Sequence, residues 1–482
     1  MSEKEKGTNN SRFREIISVL RKHNITHGIS PKKLRLIMED LGPTFVKIGQ
    51  IMALHSDILP KAYCDELMEL CTDARPMPFE EAVSVIDESY GRSWKKVFSS
   101  IEETPIGSAS IAQVHRAVLK SGEEVVVKIQ RKGIYEMMAR DIEFIRKAIK
   151  LMPPISLKGM ADFDLVLDEL WSVTRDEMNF LTEASNIEEF ARRNKDVNFV
   201  QTPVLYQQYT TVHVLVMEYI DGCGIDEKDK LLEDGYDLKE IGSKLVDNYI
   251  KQVMDDGFFH ADPHSGNVKI RDGKIVWIDM GMMGRLTEHD REMITLAIEG
   301  VALNDVGLIL KAVLGLGEFK ERPEQRKLYE DIEGLLLKYG STDMGKINVA
   351  EVMTDLMEVM KENKIMMPHG LTMLARGLTH MEGVLANIAP DINMVEIARA
   401  RLAADFLHNF NFKKELKNTG RSLLKSVRKM IDLPSMTTDL MDEFMKGQSK
   451  VNLDLRVSKD LAFLLRRLVR NIVMGLWVMA LL

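Results

Sequence analysis

Asp262, Asn267 and Asp279 stand in the stretch GFFHADPHSGNVKIRDGKIVWIDMG, residues 257 to 281. An Asp and an Asn five residues apart, with a second Asp about a dozen residues later, suit phosphoryl transfer. One carboxylate orients or deprotonates a hydroxyl, while an amide oxygen and the other carboxylate hold a divalent cation against phosphate. The residues between them dictate how they meet. Val268 to Ile270 and Ile275 to Ile278 are β-type runs split by Asp272-Gly273, a tight hairpin signal. Asn267 and Asp279 therefore come to the same end of a two-stranded ribbon.

A nucleotide also needs a cation on its phosphates, a carboxylate to fix that cation and a loop to cover them. Lys128 lies near the end of the strand-like EVVVKIQ, about twenty residues after a turn at Gly107. Protein kinases give the lysine of V-A-I-K that setting, and they order H-R-D-x-x-x-x-N before D-F-G as His260-Ala261-Asp262, Asn267 and Asp279-Met280-Gly281 are ordered here. Met for Phe is a conservative apolar exchange. His264 reads as a packed loop histidine. After Asp279 the chain reaches RLTEHDRE, whose Thr287-x-x-Asp290 reads as a capping box, within about eight residues. That leaves no room for the activation segment and A-P-E motif with which protein kinases bind peptides.

The flanking sequence supplies the positioning elements. Residues 11 to about 100 carry apolar residues at helical spacing, with Ser30-Pro31 as a start signal. From about 104, TPIGSASIAQVHRAVLKSGEEVVVKIQ alternates around Ser121-Gly122 as a β-hairpin, helix follows to about 195, and FVQTPVLYQQYTTVHVLVMEYI holds two further strand candidates. Glu218 and Tyr219 end the second of these before Asp221-Gly222, where a kinase hinge offers backbone groups to adenine. Beyond 287 the pattern is helix and loop.

With 482 residues the chain should divide into modules, and 45% hydrophobic with 29% charged residues excludes a disordered class. Three cysteines without a C-x-x-C pair make a disulfide framework or structural zinc unexpected. A net charge of −8 argues against a nucleic-acid partner. The charge is uneven: Lys413 to Lys429 has seven basic residues against one acid, and NIVMGLWVMALL (471–482) follows Arg466, Arg467 and Arg470. Twelve apolar residues are short of the ~20 that span a bilayer, so an interfacial anchor on the cytoplasmic side, or part of a longer helix, is expected.

Three stretches, LGPTFVKIGQIMALHSDILP, PIGSASIAQVHRA and FFHADPHSGN, make the chain resemble the UbiB (AarF-domain) family of atypical kinases over nearly its full length. The resemblance implies an α+β, two-lobed protein-kinase-like fold with helical extensions at both ends. It also implies a role in isoprenoid-quinone or lipid metabolism at a membrane, with ATP or ADP and Mg²⁺ as ligands, a lipid or quinone precursor as substrate, and protein partners of a biosynthetic complex. The expected boundaries are 1–103 for the N-terminal extension, 104–225 for the small lobe with inserted helices, 226–455 for the helical lobe and 456–482 for the membrane-associating segment.

Carried over residue by residue, Lys47, Gly49 and Gln50 correspond to the family's K-x-G-Q motif, on an extension folded across the site. Ile106, Gly107, Ser108, Ala109, Ser110 and Val114 belong to the alanine- and serine-rich phosphate loop, with Gly107 where alanine is common. Glu177 to Asn179 stands for E-x-D. In a continuous helix Glu177 and Glu183 point about 120° apart and cannot serve one cation. Glu183 is therefore assigned to Lys128, and Glu177 to Lys47. Asn179, in place of Asp, would remove one charge from the Lys47 contact. Asp262 is the catalytic residue, Asn267 and Asp279 the metal ligands, and Glu218 and Tyr219 the adenine contacts. Two alternatives remain: a small-molecule phosphotransferase of the antibiotic-kinase type, which does not require Lys47 and Gln50, and a nucleotide-sensing scaffold without turnover.

Overall fold

The computed structural model describes residues 3–24, 29–53, 60–70, 75–150, 168, 171–172, 174–175, 177–319, 321–340, 349–398 and 400–401. All of them belong to one unit, Met1–Leu402. The basic stretch 413–429 and the apolar run 471–482 lie outside the described residues.

Helices α1 (Glu3–Lys22), α2 (Pro31–Leu41), α3 (Pro43–Met52) and α4 (Lys61–Met68) form the extension. Ser30 caps α2 by accepting the Lys33 N–H at 3.3 Å, with Pro31 in the first turn. Ile37, Met38, Leu41, Phe45, Leu67 and Leu70 make a small core of their own. Gly49 sits in it, where a Cβ would run into Leu70.

Helix α5 (Phe79–Tyr90) is followed by a short 3₁₀ turn and then by strand β1 (Phe98–Ile101), which pairs with β3. The sheet thus begins inside residues 1–103, which the helical periodicity had claimed. A register shift between Phe98 and Ser100 breaks the alternation that would have revealed β1. Strands β2 (Gly107–Ser108), β3 (Ala112–Leu119), β4 (Glu124–Gln130) and, later, β6 (Val214–Glu218) complete an antiparallel sheet in the order β1-β3-β4-β6, with β2 on β3. Val125, Val127 and Ile129 point into a core with Phe98, Val214 and Val216, whereas Val126 joins Leu215, Met217 and Phe180 on the opposite face. A period of two places Lys128 on the Val126 face.

Helices α6 (Ile134–Lys150) and α7 (Phe180–Arg193) cross between the strands. Strand β5 (Val200–Gln201) joins a second sheet, β5-β10-β9-β7, made with β7 (Cys223–Gly224), β9 (Val268–Arg271) and β10 (Lys274–Trp277). Helices α8 (Lys228–Glu233) and α9 (Leu238–Lys251) precede β8 (Phe258–His260), which pairs with β11 (Met283–Arg285). Asp272 and Gly273 take φ of 52° and 72°, the double left-handed turn expected of a two-residue hairpin.

Helices α10 (Glu288–Ala302), α11 (Val306–Leu316), α12 (Gln325–Gly340), α13 (Val349–Glu362) and α14 (His369–Ile388) close the described chain. Thr287 and Asp290 form a reciprocal capping box on α10. The whole is α+β and kinase-like, a small antiparallel sheet set on a helical lobe with helices added before and after.

The extension is tied to α6 by one buried pair. Arg12 Nε and Nη2 hold the two carboxylate oxygens of Asp141 at 3.0 and 2.8 Å, and Nη2 also donates to Leu41 O at 2.8 Å. The Asp141 side chain is 1% exposed. Replacing Arg12 with Met strands that carboxylate and is expected to cost about 3–5 kcal/mol of docking. Faster proteolysis of the N-terminal helices and a lower urea midpoint would report it; an unchanged digestion pattern would show that the pair does not hold the extension.

Candidate active site

Lys128 is the centre of the site. Its Nζ lies 3.0 and 2.9 Å from the two Glu183 oxygens and 3.1 Å from Asp279 Oδ2. Glu183 is buried on the first turn of α7, which Asn179 starts by accepting the Leu181 N–H at 3.1 Å. That cap corrects two expectations. The chain does not run as one helix from Glu177 to Glu183, and Asn179 caps α7 instead of weakening the Lys47 contact. Lys47 on α3 meets Glu177 at 2.5 Å, just before the cap, with both side chains nearly buried. The two glutamates are divided between the two lysines by the break in the helix, not by helical phase.

Burial alone would lower Lys128, but Asp279 and Glu183 outweigh it and hold it above the usual lysine value. Burial pushes Glu183 up to about 7, with Lys128 opposing. Burial opposes ionisation of Asp279 even though its side chain keeps 40% exposure, but it is outweighed. The Lys128 charge and the Gly281 N–H, 2.8 Å from Oδ1, hold Asp279 well below the usual carboxylate range.

The catalytic loop is built on a buried polar network. His260 Nε2 is 2.5 Å from Asp279 O, so it donates there, and Nδ1 accepts the Asp262 N–H at 3.1 Å. The tautomer follows from those partners. Burial lowers His260, keeping it neutral. Its ring stacks on Trp277, whose Nε1 donates to Asn248 Oδ1 at 3.0 Å. Gln252 takes the His260 N–H at 3.0 Å and donates to the same Asn248 oxygen at 2.9 Å, while Asn248 donates to Asn194 at 2.7 Å. One imidazole thus sets the distance between the Asp262 loop and the Asp279 segment.

Asn267 donates to Asp262 O at 3.0 Å, which leaves its Oδ1 as the oxygen for a cation. Among the described residues no cluster of three or more His, Cys, Asp or Glu could hold a metal. Asp279 and Asn267 provide hard oxygen donors, and Mg²⁺ sites of that kind draw their remaining ligands from phosphate and water. The residues fit the ion expected with a nucleotide.

Two side chains at Asp262 were not foreseen. Arg376 Nη2 lies 2.9 Å from Asp262 Oδ2, and His380 Nε2 lies 3.3 Å from Oδ1. The Oδ1 atom itself is buried without a hydrogen bond. Burial raises Asp262, but Arg376 and then His380 outweigh it and keep the carboxylate ionised. Both come from α14, one turn apart. Gly377 lets that helix approach, since a Cβ there would strike the Tyr249 hydroxyl, itself bonded to His260 O. A basic pair, Arg376 and His380, one helical turn apart in the mostly apolar LTMLARGLTHMEGVL was the sequence signal available.

Other expected residues fall differently. Arg131 pins the phosphate loop through Ala109 O and Ser108 Oγ, both at 2.8 Å, and Ser110 is buried. Gly107 and Val114 face each other across β2 and β3, with Ile106 exposed just before them. A Cβ on Gly107 would meet nothing within 4 Å, so alanine fits the bare loop. The Glu218 and Tyr219 N–H groups already donate to Val204 O and Glu124 O at 2.8 and 3.1 Å and are not free for adenine. The Glu218 carboxylate pairs with Arg271 at 2.7 Å. His264 is exposed, not packed; it caps a 3₁₀ turn by accepting the Gly266 N–H at 3.1 Å. Gln50 makes no hydrogen bond to Lys128, Asp262, Asn267 or Asp279. Met280 is buried, and its carbonyl accepts from Asn186 at 3.0 Å.

Residues 69–313 match the ABC1 atypical kinase-like domain, and residues 332–393 match the UbiB helical domain. The protein of the hydrogenase 1 5′ region of Clostridium pasteurianum is 37% identical over 92% of this chain and 85% of its own length. ACTIVITY OF BC1 COMPLEX KINASE 8, a chloroplastic protein of Arabidopsis thaliana, is 33% identical over 79% of this chain, which spans 54% of that relative. A solved structure of Rv3197 with erythromycin, from Mycobacterium tuberculosis, aligns with 73% of this chain and 90% of its own at 22% identity and a TM-score of 0.48.

The raised Glu183 predicts a signed pH effect. Its value when folded, about 7, lies above the 4.5 of free Glu, so the folded chain takes up this proton first. Its contribution to stability therefore falls as pH rises from about 4.5 to about 7 and is level above that. Relative to Glu183→Gln, the wild type should lose on the order of 3 kcal/mol across that window. Urea midpoints at pH 5, 6, 7 and 8 measure it, and parallel curves for the two proteins would count against the assignment.

Proposed function

The chain belongs to the ABC1 atypical kinase-like family, and on that footing we propose that it is an ATP-dependent phosphotransferase or ATPase acting on a small molecule and not on protein. The observation that carries this reading is the meeting of Lys128, Glu183 and Asp279, with Asp262 and Asn267 held beside them by His260 and the β9–β10 hairpin. Lys128 grips phosphate oxygens, with Glu183 holding it in place. Asn267 and Asp279 would hold Mg²⁺, which when bound neutralises phosphate charge. Asp262, kept ionised by Arg376, orients a hydroxyl or water and accepts its proton. The brevity of the segment between Asp279 and Thr287, taken up by β11, supports a small acceptor over a peptide.

Purified protein is expected to release ADP from ATP slowly in the presence of magnesium. Asp262→Asn should lower that rate by about 10²-fold or more, in line with loss of a general base. Equal rates for the two proteins would refute turnover at this site and favour the nucleotide-sensing alternative.

The finer part of the proposal is isoprenoid-quinone or lipid metabolism at a membrane surface, with partner proteins of a biosynthetic complex. It rests on the family and on residues 413–429 and 471–482. No helix of the described residues is long and apolar enough to cross a membrane. Each basic residue near an anionic surface contributes about 1 kcal/mol, and an inserted apolar segment adds to it. The full chain should float with anionic vesicles, less at high salt and less again without residues 471–482. Protein that stays at the bottom of the gradient under all conditions would remove the membrane from the reading.

A further inference from the structure

Beside Asp262, between the catalytic loop and α14, lies an open cavity of about 230 Å³. Its walls include Asp226, His264, Ser265, His380, Gly383 and Asn387. It is smaller than the ~300–1,000 Å³ usual for drug-sized ligands. Asp226 brings the one carboxylate to this lining, and His264, Ser265, His380 and Asn387 bring further hydrogen-bonding side chains. The cavity is one side chain from the catalytic residue, because His380 lines it while standing 3.3 Å from Asp262 Oδ1. That oxygen is buried and has no hydrogen bond, as is also true of Glu177 Oε1 on the Lys47 side of the site.

Gly383 supplies a second, independent observation. It stands inside α14, where glycine is a poor helix former. Two other glycines of that helix have packing reasons: a Cβ on Gly370 would come within 2.5 Å of Arg285 O, and one on Gly377 would strike Tyr249. A Cβ on Gly383 would meet nothing within 4 Å. Packing does not call for glycine there, whereas any longer side chain would enter the cavity.

We propose that this cavity binds the acceptor, a small hydroxyl-bearing molecule without negative charge, with Asp226 and Asn387 as its hydrogen-bonding partners. This deepens the phosphotransferase reading and rests on it. In the transfer the acceptor hydroxyl oxygen gains a bond to the terminal phosphorus of a nucleoside triphosphate. The bond from that phosphorus to its bridging oxygen breaks, the diphosphate leaves with the electron pair, and the hydroxyl proton passes through the His380 imidazole, which lines the cavity, to Asp262 Oδ1, 3.3 Å from its Nε2. An anionic acceptor is disfavoured by the Asp226 carboxylate.

The test uses the full chain and three probes: glycerol, ethanolamine and glycerol 3-phosphate. Saturation-transfer NMR without nucleotide reads the cavity alone, and ADP release from ATP reads the nucleotide site. Transfer is expected to glycerol and ethanolamine but not to glycerol 3-phosphate, reduced at least fivefold by Gly383→Leu. The same two probes should raise ADP release severalfold in the wild type and not in that variant. A retained cooperative unfolding transition checks that Gly383→Leu folds, and Asp226→Asn, which should weaken ethanolamine most, provides a second variant. Equal transfer in wild type and Gly383→Leu, or strongest transfer to glycerol 3-phosphate, overturns the cavity assignment. ADP release without probe binding overturns it while sparing the nucleotide reading. Probe binding without any nucleotide binding overturns that reading, and with it the acceptor role.

Discussion

Three charges brought together, the Lys128 ammonium and the carboxylates of Glu183 and Asp279, are the constraint on which the site depends. A lysine buried on the inner face of a sheet stays ionised only if carboxylates reach it, and here one comes from α7 and another from the segment after β10. Each of the three is costly alone. Their mutual neutralisation therefore links the small lobe, the first turn of α7 and the hairpin of the helical lobe, and it aligns the residues that would meet a nucleotide.

The support around this centre is polar and fully partnered, as a low-dielectric interior requires. His260, neutral and hydrogen-bonded at both nitrogens, spaces the two loops. Behind it Gln252, Asn248, Asn194 and the Trp277 indole pass hydrogen bonds from α9 to the end of α7. The helix that carries Glu183 and the loop that carries Asp262 are thereby held by one network, so neither moves without disturbing the other.

The helical additions reach the centre from two sides. Lys47 of α3 binds Glu177 immediately before the cap of α7, and Arg12 fastens the same extension to α6 through a buried carboxylate. From the other side α14 brings Arg376 and His380 to Asp262, a contact made possible by the missing side chain of Gly377. Matches to both the kinase-like domain and the helical domain are thus joined in one site, since the second contributes the counter-charge of the first.

What the amino-acid sequence determined by itself was local. The Asp272-Gly273 turn, the alternation of EVVVKIQ and the Thr287 capping box are written in adjacent residues, so the hairpin, Lys128 on its strand and the short segment after Asp279 were legible. So was the spacing of Asp262, Asn267 and Asp279, because a hairpin converts sequence separation directly into distance. Only the tertiary structure decided which charges meet. The cap at Asn179 replaced a presumed continuous helix, the bulged β1 escaped its periodicity, and the N–H groups of Glu218 and Tyr219 were already taken by neighbours in space. Arg376 lies 114 residues from Asp262, on a helix whose pattern announces an apolar face but not what that face packs against. Periodicity reports which side of an element is buried. The partner on that side is set by close packing between segments far apart in the chain, which no local pattern encodes.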